Sequence, residues 1–121
     1  MKTLALATTI GLAAGLLGAL CGVGGGIVMV PAFVAVLGME QRQAVATSLA
    51  VIVVAAIAST TSNLREPGLI DWRIVALTAL GAATAAWFGS EWMRSLGSQT
   101  LTRVFAIVLI VIGAWKLWKT M

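Results

Sequence analysis

The sequence predicts an all-α integral membrane protein, a glycine-broken first helical hairpin followed by three transmembrane helices. Three observations lead there. Of the 121 residues, 60% are hydrophobic and 10% charged, with a mean hydropathy of +1.05, whereas a soluble domain is about half apolar and about a quarter charged. The hydrophobic residues come in long blocks separated by short polar islands, and the first block is interrupted by Gly22-Val23-Gly24-Gly25-Gly26. The same composition excludes the usual catalytic chemistries. With no His, one Cys and four acidic residues, the chain lacks material for a His-based triad, a zinc site or a carboxylate metal cluster. No catalytic residue, metal or cofactor is predicted. The formal charge of +4 is carried by eight basic residues spread over every polar island. They fit the flanks of spans in a lipid bilayer rather than a nucleic-acid face. The single cysteine, Cys21, forms no internal disulfide and indicates no redox compartment.

The N-terminus opens like a secretory signal, with Lys2 ahead of an apolar run from Leu4 to Leu20. However, Gly18-Ala19-Leu20 before Cys21 is a poor approach to cleavage or lipidation, and the chain returns directly to apolar sequence, so the segment is expected to stay in the mature protein. Residues 3–39 are too long for one straight crossing, because 37 residues would reach about 55 Å at 1.5 Å per residue. Glycine-rich backbone carries unpaired amides and cannot face lipid, so it must be buried in protein or line a wet cavity. A helix, a glycine break and a shorter helix with Pro31 in its first turns are expected, either as a re-entrant hairpin or as one broken crossing. Residues 43–63, 70–90 and 101–118 are then transmembrane segments. The last includes Thr102 and Arg103, whose long basic side chain can snorkel to the headgroups. Trp72, Trp92, Trp115 and Trp118 lie near the ends of these blocks, where indole rings favour the membrane interface, whereas the deeper Trp87 reads as packing.

The basic residues compare the two topologies. A hairpin that returns to its starting side puts Lys2, Arg42, Arg94 and Arg103 on one face and Arg65, Arg73, Lys116 and Lys119 on the other, with the chain ends on opposite faces. Neither orientation is favoured. A single broken crossing gives five against three, with Arg42, Arg94 and Arg103 in the minority. The balanced count permits insertion both ways up without demonstrating it.

Two stripes of small residues, Gly11-Gly15-Gly18-Gly22 and Gly81-Ala85-Gly89, predict close helix packing. The Gly22–Gly26 cluster matches neither nucleotide fingerprint: Ile27 stands where a dinucleotide loop needs glycine, and no Lys-Ser/Thr pair follows. It does provide backbone amides free of side chains just before a short helix, whose N-terminal dipole favours an anion. A simple sharp turn accounts for the glycines equally well. Most hydroxyls inside the apolar blocks, among them Thr8, Thr9, Ser59 to Ser62, Thr78 and Thr84, are expected to bond back to their own helix carbonyls. Thr47 and Ser48 are more suggestive, because they follow Arg42 by about one turn and would present hydroxyls near the glycine break. No acidic residue lies in the middle of a block, which argues against a cation or drug antiporter. Arg42, Arg65, Arg73 and Arg103 would attract an anion, or serve only as interfacial anchors.

The order of these features, an apolar glycine-striped helix, Gly22-Val23-Gly24-Gly25-Gly26, Ile27 to Pro31, Ala44-Val45-Ala46-Thr47-Ser48-Leu49, and a later loop ending Ile70-Asp71-Trp72-Arg73, resembles the repeat unit of the sulfite exporter TauE/SafE family. The resemblance implies a multi-pass protein of the bacterial plasma membrane. It implies a secondary transporter of sulfur-containing anions such as sulfite, sulfonate or thiosulfate, without ATP hydrolysis or cofactor. Family members usually carry two repeats, and this sequence covers one, which implies a homodimer or pairing with a second half-repeat subunit. A small dimeric anion channel and a non-transporting membrane partner subunit are the competing expectations. Substrate is expected at Gly22, Gly24, Gly25 and Gly26, helped by Thr47, Ser48 and Arg42. On this reading Gly25→Leu abolishes transport while leaving the protein in the membrane.

Overall fold

The computed structural model describes residues 1–121. It consists of five helices, α1 (Lys2–Cys21), α2 (Gly26–Leu37), α3 (Gln41–Asn63), α4 (Trp72–Ser95) and α5 (Ser98–Thr120). All but α2 are long and apolar enough to cross a membrane. Left-handed glycines terminate the first two, Gly22 at φ 70° and Gly38 at φ 68°. Asp71 starts α4, its carboxylate accepting from the amides of Arg73 at 3.1 Å and Ile74 at 3.3 Å. The last two helices outrun their apolar blocks, because lipid-facing extent and backbone hydrogen bonding end for different reasons. Past Ser90, α4 continues through a Glu91–Arg94 ion pair one turn apart, and it stops only before Gly97.

The first two helices form a hairpin, and its tightness comes from missing side chains. A Cβ placed on Gly18 would lie 2.5 Å from the Gly25 nitrogen, and one on Gly25 would lie 2.6 Å from the Ala14 carbonyl oxygen. The loop thus folds back onto the last turns of α1, and α2 runs antiparallel beside it. Met29, Val30 and Phe33 of α2 are buried with Ala14 and with Ala44 of α3, and Ile10, Ile52 and Phe105 pack around them. Gly25 also has φ 79°, a conformation that costs a residue with a side chain about 1–2 kcal/mol. A leucine there would be driven into the Ala14 carbonyl. Gly25→Leu therefore acts on the hairpin itself, not only on a bound substrate.

The depth of the hairpin follows from α3. A Cβ on Gly24 would touch Ile52 at 3.0 Å and one on Gly26 would touch it at 3.3 Å, and Ile52 is the central residue of the span Gln41–Asn63. The glycine break sits at mid-depth, about 16 Å from either end of α3 at 1.5 Å per residue. By the same rise, the α2 residues return the chain to the level of Lys2 and Gln41. At that end Arg42 Nη1 donates to the carbonyl of Arg94 at 3.1 Å, which joins the start of α3 to the end of α4. Because the loop folds back onto Ala14 and Gly18, the hairpin returns to its starting side; α3, α4 and α5 follow as three helices long enough to cross, and the two chain ends lie at opposite ends of the bundle. The balanced count of four basic residues per side applies.

Only nine of 121 residues are buried, and none of them is in α4 or α5. The bilayer, rather than a protein core, covers most of the apolar surface. The stripes of small residues behave differently from expectation. Of the α1 stripe only Gly18 is in close backbone contact. Side chains at Gly11, Gly15, Gly22, Gly81 or Gly89 would meet nothing within 4 Å, because α2 lies against the Ala14–Gly18 edge and no helix of this chain lies on the others. Gly25→Ala is expected to lower the melting temperature in detergent and to raise proteolysis in the 22–26 loop, whereas Gly11→Ala leaves both unchanged. A Gly25→Ala protein as stable as the parent would show that the hairpin is held elsewhere.

Candidate functional site

Above the glycine break is a cleft of about 420 Å³. Its floor is Gly22, Val23 and Gly24, one wall is Gly15, Gly18 and Ala19 of α1, and the other is Ile52, Ala55, Ala56, Ser59, Thr60 and Asn63 of α3. The cleft exists because the two walls differ in height. Beyond Gly18 α1 continues for only three residues, to Cys21, whereas α3 continues eleven beyond Ile52, to Asn63. The α3 wall is one helical face, since 52, 55, 56, 59, 60 and 63 recur at spacings of three and four.

Two sets of polar groups lie at or next to this space. None of the amides from Val23 to Ile27 donates to a backbone carbonyl, so five consecutive donors at and beside the floor have no main-chain acceptor. A buried donor left unpaired costs about 1–3 kcal/mol, so lipid is an unsuitable filling for the cleft, and water or a polar ligand is a suitable one. On the α3 wall the side chains of Ser59, Thr60 and Asn63 make no hydrogen bond in this chain, although Thr61, on the outer face, bonds back to the Ile57 carbonyl at 2.7 Å. Thr8, Thr9, Thr84 and Thr102 bond back in the same way. No basic or acidic side chain lines the cleft. The electrostatic character of its floor is the positive end of the α2 dipole.

The sequence-predicted residues divide between two places. Gly22 and Gly24 line the cleft; Gly25 and Gly26 are packed behind it, against Ala14 and Ile52. Ser48 is buried, and its hydroxyl donates to the Val45 carbonyl at 2.8 Å. Thr47 lies off the cleft face of α3. Arg42 is at the opposite end of α3 from the cleft mouth, holding Glu40 at 3.1 Å and the Arg94 carbonyl at 3.1 Å. There it caps the last turn of α4, where a cation suits the helix dipole. Arg103 and Arg65 make no ion pair, and neither lines the cleft. The sequence assigns Ser59 and Thr60 to bonds with their own helix carbonyls, bonds that the structure does not contain. The signal for them was their three-and-four spacing from Ile52, which puts them on one face with Ala55 and Ala56.

A helix break beside the midpoint of α3, under a cleft with Ser59, Thr60 and Asn63 on one wall and within a bundle of helices long enough to span, defines a multi-pass membrane protein of the broken-helix class, the architecture in which secondary transporters commonly bind substrate. The family described as Sulfite exporter TauE/SafE matches residues 2–121, and the chain belongs to that family of membrane transporters. A probable membrane transporter protein, YunE, of Bacillus subtilis (strain 168) is 33% identical over 109 residues, covering 87% of this chain and 38% of that protein. A probable membrane transporter protein of Xylella fastidiosa (strain 9a5c) is 30% identical over 122 residues, 99% of this chain and 45% of that protein. The chain therefore spans less than half the length of these relatives. No solved structure matches it.

In a Cys21→Ala background in nanodiscs, Ser59→Cys and Thr60→Cys are expected to react with a water-soluble maleimide, and Ser48→Cys only after unfolding. Equal labelling of Ser48→Cys in the folded protein would show that the wet space lies elsewhere.

Proposed function

We propose that the chain is a secondary transporter of small sulfur-containing anions, such as sulfite, sulfonate or thiosulfate, in the bacterial inner membrane, and that it works in pairs, as a homodimer or with a second half-length subunit. The observation that carries this reading is the acceptor-free run of amides from Val23 to Ile27 at and behind the floor of an uncharged cleft that has Ser59, Thr60 and Asn63 on one wall, in a chain of this family. Oxyanions present several acceptor oxygens, and backbone amides with hydroxyl and amide side chains are matching donors. Gly22 and Gly24 admit the substrate to the main chain, the start of α2 contributes the positive end of its dipole from behind the floor, and Ser59, Thr60 and Asn63 take the part assigned from the sequence to Thr47 and Ser48. Arg42 serves the α3–α4 junction. Binding by dipoles rather than by a fixed positive charge suits a carrier, because a substrate held too tightly would not leave.

The test is counterflow of labelled sulfite and thiosulfate in proteoliposomes, competed by unlabelled sulfate, sulfonates and halides. Saturable, competed exchange is the expected result. Fast flux without counterflow would replace the carrier with a channel, and no flux of any anion from folded protein would remove the reading. Asn63→Leu, which removes the amide while keeping a similar volume, is expected to slow exchange about tenfold, the loss of one charge-assisted hydrogen bond of about 1.5 kcal/mol, with melting temperature unchanged.

A further inference from the structure

We propose that this chain inserts into the bilayer in both orientations, and that an inverted second copy closes the cleft, so that the complete site is an antiparallel pair. Three observations converge on it. First, three helices long enough to cross follow a hairpin that returns to its own side, because the loop folds back onto Ala14 and Gly18 of α1. Second, the side shared by the N-terminus and the α2–α3 loop holds Lys2, Arg42, Arg94 and Arg103, and the other holds Arg65, Arg73, Lys116 and Lys119. Orientation is set by the imbalance of such residues, and here it is zero. Third, the site is incomplete in one copy. Where α1 stops, Ser59, Thr60 and Asn63 stand on a spanning helix with no hydrogen-bond partner and no opposing wall. Lipid supplies no hydrogen-bond partner to the Ser59 and Thr60 hydroxyls.

An inverted copy meets these requirements, and a parallel one does not. The cleft of one copy opens toward its Asn63 end. Two parallel copies would open both clefts to the same side of the membrane, whereas an inverted pair opens one to each side, the symmetry with which inverted repeats enclose a site near the midplane. The relatives supply an independent indication of size, because this chain covers 38% and 45% of them, leaving room for a second unit of equal length. A second unit joined after an odd number of crossings starts from the far side and is therefore upside down.

The test has a topology arm, independent of transport, and a transport arm that rests on the function proposed above. C-terminal fusions to alkaline phosphatase, active only outside the cytoplasm, and to a fluorescent protein, active only inside it, are expected both to be active, within about threefold of each other after correction for expression. Activity of one fusion alone overturns the proposal. Two variants then lock the orientation in opposite senses without touching the cleft: Lys116→Gln with Lys119→Gln, and Lys2→Gln with Arg103→Gln. Each alone is expected to retain less than about a tenth of parental exchange, and co-expression to restore it. Full exchange by one locked variant overturns the inverted pair. Two active fusions with no exchange in the parent sustain dual insertion and remove the transport reading instead.

Discussion

The structure depends on one close approach, the backbone of Gly24 and Gly25 lying against Ala14 and Gly18 with no side chain between them. Two polypeptide segments are brought nearer than any Cβ permits. In a membrane this is an effective way to hold helices together, since lipid is as apolar as the side chains and exclusion from water contributes little between helices. Packing contact and backbone geometry must do the holding. The left-handed conformation at Gly25 turns the chain at that point, and the buried set of Met29, Val30, Phe33 and Ala44 forms directly below the turn.

The cleft follows from the same approach. Because the loop seats itself beside Ile52, halfway along α3, the rest of α3 extends past the hairpin with nothing opposite it. The start of α2 is held beside the midpoint of α3, and the amides from Val23 to Ile27, at and behind the floor of the cleft, have no main-chain acceptor. A fold device thus becomes a binding feature: the turn that makes the hairpin compact also exposes main-chain donors under a polar wall.

Charge is used for architecture in this chain. Arg42 bridges Glu40 and the end of α4, Glu91 pairs with Arg94, and Lys119 lies over the Trp115 ring at 5.4 Å. None of these groups is in the cleft. Their equal division between the two sides gives neither orientation an excess of basic residues.

Composition and block length alone determined that this is an all-α membrane protein with a broken first segment and three further spans, because hydrophobic runs near the bilayer thickness admit few other readings. The glycine cluster was legible as a break for a covalent reason, since only glycine is free at positive φ. What hydropathy did not decide was where the break lies and which hydroxyls face it. The choice between a hairpin and a broken crossing rests on contacts between two segments of the first block, Gly25 with Ala14 and Gly24 and Gly25 with Gly18, which fold the loop back onto α1. Thr47 and Ser48 looked suited to the site because they are near Arg42 along the chain, yet Ser48 bonds to Val45 and the cleft face belongs to Ser59, Thr60 and Asn63. Sequence fixes the angular spacing of residues on a helix, but only the seating of the hairpin at mid-depth decides which face, and which turn of that face, is left open.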